Sequence, residues 1–273
     1  MSSTNDASTN DAGTNGGGMN DATVEEVARR LSKATADRTA IDKLTDEYPD
    51  LDLAAAYRVQ RAQRPEDGSL AGWKLGVTSR AKQLQVGISA PTYGFLRPEY
   101  NLDLGAPLNT GELIAPRAEP EIVFTLGADL AGPHVTASQF LSACSGVAVG
   151  LEILDSRFRN YKFTIADVIA DNTSAGRYVV GAPVDPAGID LRLVGVVLEH
   201  NGEVVATASG AASLGHPAAA GAWLVRALHA HGEGLRAGEI VLSGGLTAAV
   251  PVKPRDTVVA TIDRLGTIEL ACH

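Results

Sequence analysis

Cysteine is scarce in this 273-residue chain, which contains only Cys144 and Cys272. The two residues do not form a CxxC pair, and disulfides belong to oxidising compartments. We therefore expect reduced thiols and a cytoplasmic location. Long apolar runs are also missing: no stretch reaches the length of a membrane span, and the first residues lack the apolar segment of a signal peptide. The sequence predicts no membrane partner.

Positive charge is in deficit as well. Lysine and arginine number 23 against 32 aspartates and glutamates, which gives a formal net charge of −9 and an isoelectric point near 5.1. No basic stripe is available to neutralise phosphates, so a nucleic-acid partner is not expected. The same negative field would repel an anionic substrate. A bound cation, or lysine and arginine placed locally, must then attract such a substrate.

Common catalytic motifs are absent too. The sequence has no P-loop, GxGxxG, GxSxG or HExxH pattern. Their absence removes the usual nucleotide-binding, hydrolase-triad and zinc-protease interpretations. Hydrophobic residues nevertheless make up 45% of the chain and charged residues 20%, so the chain can bury a substantial core.

Composition divides the chain into a disordered low-complexity tail, a helical N-terminal region and a β-rich domain with the candidate catalytic residues: residues 1–18, 19–71 and 72–273. The tail repeats a Ser-Thr-Asn-Asp-Ala unit and carries little that could enter a core, and Met19 directly after it is an alternative start. In the helical region, Thr23 opens a capping-box pattern, and a second helix is predicted from about Leu53 to Arg64.

The β-rich domain is indicated by short apolar runs separated by glycine, proline and asparagine. The pair Asn201-Gly202 predicts a tight hairpin. A later helix is predicted to begin at Pro217, with His216 as a cap or core residue rather than a metal ligand. Because helices come first and strands later, we predict an α+β fold: a small helical N-terminal part on a larger mixed, mostly antiparallel β-domain.

Three carboxylates stand in apolar, strand-like runs. Glu119 and Glu121 are two residues apart, so on a strand they project to the same face while Ile122 and Phe124 face the core. Glu152 lies in a similar run. Like charges this close repel unless a cation lies between them, and oxygen ligands suit Mg²⁺ or Mn²⁺. The alternative is that the pair lines a solvated strand edge and binds nothing.

Other candidate site residues lie in short polar or glycine-flanked segments. Lys74 is enclosed by apolar residues and glycines, so it must pair with a carboxylate or lose its proton; the alternative is a surface lysine with a solvated ammonium. Segments 155–157 and 170–174 crowd hydrogen-bonding groups after Glu152, and 243–247 is a small-residue loop suited to close approach of a ligand. Turns without function have the same composition.

Taken in order, these segments resemble the 2-keto-4-pentenoate hydratase and 4-oxalocrotonate decarboxylase family of the fumarylacetoacetate hydrolase superfamily. The resemblance covers nearly everything after about residue 22, and it rests on six motifs: Gly72-Trp-Lys-Leu-Gly-Val-Thr-Ser79, Pro116-Arg-Ala-Glu-Pro-Glu121, Leu151-Glu-Ile-Leu-Asp-Ser-Arg157, Ala170-Asp-Asn-Thr-Ser174, Gly210-Ala-Ala-Ser-Leu-Gly-His-Pro217 and Ser243-Gly-Gly-Leu-Thr-Ala-Ala-Val250. The implied fold is of fumarylacetoacetate-hydrolase type.

The resemblance implies roles for these residues. Mg²⁺ (or Mn²⁺) is expected on three metal ligands: Glu119, Glu121 and Glu152. Lys74 is expected beside the substrate, and catalysis is assigned to Lys74, Ser174 and Thr247. The expected substrate-binding residues are Thr78, Ser79, Asp155 and Arg157.

Within the family, several segments resemble the decarboxylase more than the hydratase: Thr45-Asp-Glu-Tyr-Pro49, Pro91-Thr-Tyr-Gly-Phe-Leu96, Arg159-Asn-Tyr-Lys-Phe163 and Gly176-Arg-Tyr178. Trp73, Ala175 and Gly176 depart from the smaller or serine-like residues expected there. The implied reaction is metal-dependent decarboxylation of 2-oxohex-3-enedioate (4-oxalocrotonate) to 2-hydroxypenta-2,4-dienoate, a lyase step in meta-cleavage degradation of aromatic compounds.

Two alternatives remain open from the sequence. The first alternative to the decarboxylase is a hydratase acting on 2-hydroxypenta-2,4-dienoate (2-keto-4-pentenoate). The second, in a different class, is a non-catalytic partner of a sister hydratase. Metal-dependent turnover by the isolated chain separates these classes. The expected partners are a small 2-oxo dicarboxylate substrate, a sister hydratase in a complex and further copies of the same chain.

Overall fold

The structure is a computed structural model, and it describes residues 18–79, 83–84 and 88–273. The predicted tail lies almost entirely outside the described residues. Five α-helices are described: α1 (Asp21–Asp37), α2 (Leu53–Ala62), α3 (Ala137–Ala143), α4 (Ile165–Ala170) and α5 (Pro217–His229). None of the helices in this part of the chain is both long and apolar enough to cross a bilayer.

The predicted helices are present, with one correction at the start of α1. The Asn20 side chain caps this helix by accepting a hydrogen bond from the Thr23 backbone N–H at 2.9 Å, so α1 begins at Asp21, before the predicted capping box. His216 is the N-cap of α5, and a cap was one of the two roles expected for it. Its Nδ1 accepts a hydrogen bond from the Ala218 N–H at 3.0 Å. Pro217 then occupies the first helical position.

The strands of the described residues form two sheets. They are β1 (Gly72–Gly76), β2 (Thr92–Leu96), β3 (Arg117–Leu126), β4 (Cys144–Leu154), β5 (Ala175–Val180), β6 (Gly195–His200), β7 (Glu203–Ser209), β8 (Ile240–Leu242), β9 (Val250–Pro251), β10 (Thr257–Ile262) and β11 (Gly266–Ala271). The larger sheet has the order β2-β1-β8-β3-β4-β5, with β9 also paired to β3. Only the β1–β8 pair is parallel, so the mostly antiparallel α+β prediction is confirmed.

The smaller sheet has the order β11-β10-β6-β7 and packs against one face of the larger sheet. The predicted hairpin joins β6 to β7, and Asn201 and Gly202 both have positive φ at its turn. The main apolar core lies between the two sheets, α3 and α5, and Ile122 and Phe124 contribute to it from β3. The opposite face of the larger sheet carries the polar residues of the candidate site.

A second apolar core ties the N-terminal helices to the segment that follows β4. Residues of α1 and α2 share this core with Phe158 and with α4. The Gln60 side-chain amide donates hydrogen bonds to the Tyr93 and Ile169 carbonyls at 2.8 and 3.1 Å. The helical region therefore supports the polar face of the larger sheet. The proposed boundary between residues 71 and 72 stays a prediction.

Candidate metal and catalytic site

The register of β3 and β4 brings three carboxylates together. Glu119 lies directly opposite Glu152 in the antiparallel ladder, and Glu121 is two residues further along β3 on the same face. One carboxylate oxygen from each lies within 4.8 Å of the others, and all three side chains are buried. This burial excludes the alternative in which Glu119 and Glu121 line a solvated edge.

Burial makes the charges on these acids unfavourable. It raises the pKa of Glu121 well above its usual value, and the nearby Glu152 and Glu119 carboxylates raise it further. Burial also raises the pKa of Glu152, although Lys74 opposes that shift. Within the described chain, Glu121 Oε1 and Glu152 Oε2 have no hydrogen-bond partner. Buried oxygens without partners, close enough to share one ion, fit a hard divalent cation.

The loop after β8 closes over the carboxylates. Glu121 Oε2 accepts a hydrogen bond from the Gly244 N–H at 2.7 Å. A Cβ atom on Gly245 would lie 2.1 Å from Glu119 Oε2, so only glycine leaves that carboxylate in place. The predicted small-residue loop therefore approaches the acids closely, as its composition suggested.

Lys74 is fully buried in the middle of β1, which contradicts the alternative of a solvated surface lysine. Its Nζ lies 2.5 Å from Glu152 Oε1 and donates a hydrogen bond to the Thr173 carbonyl at 2.8 Å. An ammonium group has three N–H donors, so these two contacts leave one for a ligand. The lysine charge is held by a site carboxylate, one of the two arrangements that the sequence predicted.

The carbonyl that receives Lys74 comes from an unusual turn at residues 172–174. All three residues have positive φ, between 48° and 57°. Such conformations are uncommon for residues other than glycine and persist where surrounding contacts impose them. Here the Asn172 side-chain amide bonds both the N–H and the carbonyl of Phe95, each at 2.9 Å. Gly94 leaves room for the turn, since a Cβ there would overlap Thr173.

The site opens into one cavity of about 740 Å³, called the site cavity below. Its walls contain Lys74, Gly76, Val77, Thr92, Arg117, Glu119, Leu154, Tyr161, Phe163, Thr164, Ile165, Val168, Thr173, Ser174, Ala248 and Ala249. Lysine, a metal-type carboxylate and Ser174 therefore face the same space. Such a cavity can hold a small ligand against a bound cation.

Residues 82–271 match the family model described as fumarylacetoacetate (FAA) hydrolase C-terminal. The chain belongs to the fumarylacetoacetate hydrolase family. The family predicted from the sequence motifs is thus confirmed.

Several relatives of this family member carry named activities. A 4-oxalocrotonate decarboxylase from Pseudomonas sp. (strain CF600) is 41% identical over 237 residues, which are 85% of this chain and 90% of the relative. A 2-hydroxyhexa-2,4-dienoate hydratase from Comamonas testosteroni is 37% identical over 254 residues, 90% of this chain and 96% of the relative. Decarboxylases and hydratases of this kind are both lyases.

A solved structure supports the fold at full length. It is 4-oxalocrotonate decarboxylase from Pseudomonas putida G7, complexed with magnesium and adipate. The match has a TM-score of 0.90 at 36% sequence identity and covers 93% of this chain and 99% of that one. The fumarylacetoacetate-hydrolase type of fold is therefore confirmed.

Other predicted residues of this hydrolase-family chain lie around the loop after β8. Thr78 is buried and packs so closely on Gly244 that a Cβ on the glycine would meet Thr78 Oγ1 at 2.2 Å. Ser79 follows it and is half-buried. Thr247 is half-buried in the loop, and its Oγ1 donates to the Ala248 carbonyl at 3.0 Å. Ser174 lies apart from that loop, in the turn 172–174, and its Oγ donates to Asp171 Oδ2 at 3.3 Å. Their roles toward substrate stay predictions.

Asp155 and Arg157 do not line the site cavity, although both were expected to bind substrate. The Asp155 carboxylate accepts hydrogen bonds from the backbone N–H groups of residues 114 and 115 at 2.7 to 3.0 Å. Arg157 pairs with Asp171, a buried carboxyl whose pKa burial raises to about 6 against the opposing effect of Arg157. Both side chains line a separate pocket of about 230 Å³. These contacts lie behind the turn 172–174, and the expected role of both residues in substrate binding stays a prediction.

Sequence reasoning missed several cavity residues, among them Arg117, Tyr161 and Phe163. Arg117 precedes Glu119 by two positions, so strand alternation alone places it on the same face. The sequence alone was therefore enough to predict that Arg117 lies on the same face of the strand as Glu119. Tyr161 and Phe163 lie in an irregular segment after β4, where no periodicity reveals which side chains point inward.

Proposed function

We propose that this chain is a divalent-cation-dependent lyase that decarboxylates 2-oxohex-3-enedioate to 2-hydroxypenta-2,4-dienoate. The observation that carries the proposal is the convergence of three buried carboxylates and Lys74, of which Glu119 and Lys74 line the site cavity. Paired buried charges of this kind cost stability and are expected where chemistry requires them.

Three residues would hold the cation: Glu119, Glu121 and Glu152. They supply few protein oxygens, so coordination positions stay open for substrate, as hard divalent cations in enzymes require. When bound, the cation supplies Lewis acidity toward the carboxylate and 2-oxo group of the substrate, drawing electrons toward the 2-oxo oxygen. The buried oxygens of Glu121 and Glu152 gain a partner in the same event.

The proposed substrate is a vinylogous β-keto acid. Loss of CO₂ breaks the bond between C5 and C6, and the electron pair moves through the alkene to the 2-oxo oxygen. One proton taken up at that oxygen gives 2-hydroxypenta-2,4-dienoate, so atoms and charge balance. We assign to the third donor of Lys74 Nζ the task of stabilising or protonating this oxygen. Ser174 and Thr247 are assigned to orient the substrate.

Decarboxylation is favoured over hydration by two similarities. The 41% identical relative is a 4-oxalocrotonate decarboxylase, and the decarboxylase structure that matches at a TM-score of 0.90 binds adipate, a six-carbon dicarboxylate. Hydration of 2-hydroxypenta-2,4-dienoate is the second candidate. The 37% identical hydratase favours it, and the same cation and lysine could serve that reaction.

The test is turnover of both substrates by the purified chain. With Mg²⁺ and 2-oxohex-3-enedioate, we expect one CO₂ released per substrate consumed, and we expect removal of the cation by a chelator to stop the reaction. Turnover of 2-hydroxypenta-2,4-dienoate without any CO₂ release from the dicarboxylate would assign the hydratase reaction instead. No metal-dependent turnover of either compound would leave the non-catalytic partner role.

Association with a sister hydratase is proposed as a second property. The product of decarboxylation is the substrate of hydration, so a complex would shorten the transfer between the two enzymes. Size-exclusion chromatography of the chain, alone and mixed with a 2-keto-4-pentenoate hydratase, tests both this complex and self-association. Unchanged elution of each protein in the mixture would contradict the complex.

A further inference from the structure

Arg117 is placed to contact a ligand in the site cavity. It lies on β3 two residues before Glu119 and lines the same cavity. Among the described residues, the Arg117 side chain makes no hydrogen bond and no ion pair; its guanidinium instead lies over the Tyr161 ring, with Cζ at 3.8 Å from the ring centre. Lys74 also lines the cavity, but Glu152 already holds its charge. Arg117 is therefore a cavity cation with its donors available.

Tyr161 fixes the position of this guanidinium. Its hydroxyl donates to the Ala115 carbonyl at 2.9 Å, and burial raises the pKa of Tyr161, so the hydroxyl keeps its proton. Stacking uses the face of the guanidinium and leaves the N–H groups at its edge free to bond. These edge groups match the two oxygens of a carboxylate. Tyr161 thus acts as a positioning residue for Arg117.

We propose that Arg117 binds the distal carboxylate of a 2-oxo dicarboxylate and gives the site its preference for dicarboxylates over monocarboxylates. The inference rests on the proposed function, because it takes the 2-oxo acid end of the ligand to lie at the Glu119 end of the cavity. Arg117 and Glu119 line the same cavity from one strand, so one elongated ligand can contact both.

The reaction itself predicts which kinetic constant Arg117 affects. Negative charge leaves the distal carboxylate as CO₂ forms, so the pair with Arg117 weakens on the way to the transition state. An interaction that is weaker in the transition state than in the bound substrate contributes to affinity and does not raise kcat. Neutralising Arg117 should therefore raise KM for 2-oxohex-3-enedioate by about 10- to 100-fold and leave kcat within about 3-fold of wild type.

The direct test uses two unreactive ligands that differ only at the distal end. 2-Oxoadipate and 2-oxohexanoate share the 2-oxo acid group, and neither contains the alkene that decarboxylation needs. Calorimetric titration of the Mg²⁺-loaded protein should show tighter binding of 2-oxoadipate. In Arg117→Gln, and in Arg117→Met as a second neutral variant, the affinity for 2-oxoadipate should fall by about 10- to 100-fold, while the affinity for 2-oxohexanoate should stay unchanged. Arg117→Lys should keep part of the preference.

Arg264→Gln is the matched control, because this arginine is exposed in the turn between β10 and β11. It should keep the wild-type preference. The inference is overturned if neutral Arg117 variants keep the wild-type preference for 2-oxoadipate, or if their affinities for both ligands fall by the same factor. Because the ligands do not react, the outcome is separate from the proposed reaction: absent CO₂ release with an Arg117-dependent preference would overturn only the decarboxylase assignment.

Discussion

The buried pair of Lys74 and Glu152 is the most demanding interaction at the residue scale. Two charges removed from water are stable only with good geometry and further hydrogen bonds, and the Thr173 carbonyl supplies one of these to Lys74. Glu121 accepts a hydrogen bond from the Gly244 N–H, and the nearby Lys74 charge opposes the rise in its pKa that burial and the other two acids cause. A divalent cation would offset the negative charge of the three acids.

Lys74→Met is predicted to separate catalysis from cation binding. The substitution keeps length and apolar packing but deletes the charge and the proton, so kcat should fall by roughly 100- to 10,000-fold. With Mg²⁺ bound, the melting temperature and cation affinity should stay near wild type. Without it, the uncompensated Glu152 charge should lower the melting temperature. Lys33→Met, at an exposed position on α1, is the control. A near-normal kcat would make Lys74 structural.

Cation affinity is predicted to fall as the pH falls. Burial raises the pKa of Glu121 and of Glu152 in the cation-free protein, so these carboxyls hold protons at a pH where ordinary glutamates do not. A cation must displace those protons. Its affinity therefore falls as the pH falls and more of the carboxyl groups are protonated. Titration of Mg²⁺ at several pH values between about 8 and about 5 tests this.

Glu121→Gln provides the comparison for that titration. Glutamine cannot ionise, so affinity should drop by roughly 10- to 100-fold or more at neutral pH and depend less on pH. Glu203→Gln, at an exposed position on β7, should match wild type. An Mg²⁺ affinity that is independent of pH in wild type would contradict the proposed ligands.

At the scale of elements, strand alternation predicted more of the site than any other signal. It placed Glu119 and Glu121 on one face of a strand, and it would have added Arg117. It could not show that Glu152 stands opposite Glu119, because the register between two strands depends on contacts far apart in sequence. Glu152 was predicted as the third ligand from its own apolar run and from the family resemblance, without knowledge of the register.

Irregular segments were the least predictable part. The turn 172–174 depends on positive φ at three residues other than glycine, and nothing in the residue types required this. Nor did the sequence indicate that Arg157 pairs with Asp171 and that Asp155 accepts from backbone N–H groups. The start of α1 was misplaced for a simpler reason, since Asn20 offered a cap just before the predicted one.

Gly245→Ala is predicted to weaken the metal site without unfolding the chain. The added methyl group would lie 2.1 Å from Glu119 Oε2, at the flexible end of a side chain, so the carboxylate can move and the backbone can stay. We expect Mg²⁺ affinity to fall by about 10-fold or more, by analogy with lost support around metal ligands. Gly195→Ala, where the added methyl group meets no atom within 4 Å, is the control. Equal affinities in both variants would contradict the proposed role of Glu119.

At the scale of the whole molecule, the N-terminal helices support the catalytic face. Thr45 donates to the Asp167 carboxylate of α4 from its N–H and its hydroxyl, at 2.9 and 2.8 Å. Gln60 bonds carbonyls on both β2 and α4. These contacts fix the segment that forms one wall of the site cavity. The helical region is therefore joined to the β-rich domain by side-chain hydrogen bonds that composition alone did not reveal.

Deleting residues 1–18 is predicted to leave activity and the melting temperature almost unchanged. The sequence of this segment offers no apolar side chain able to anchor it, whereas the next residue, Met19, is buried and its carbonyl accepts a hydrogen bond from Arg58 at 2.6 Å. Thermal melting and turnover of the truncated chain are the measurements. A large drop in melting temperature would show that the segment packs against the fold.

The most direct test of the account is to locate the cation. Crystals grown with Mn²⁺ give an anomalous signal that identifies the ion independently of its surroundings. We predict one strong peak bounded by the carboxylates of Glu119, Glu121 and Glu152, facing the site cavity. A bound ion that contacts none of these three residues, in a chain that still requires the metal for turnover, would contradict it.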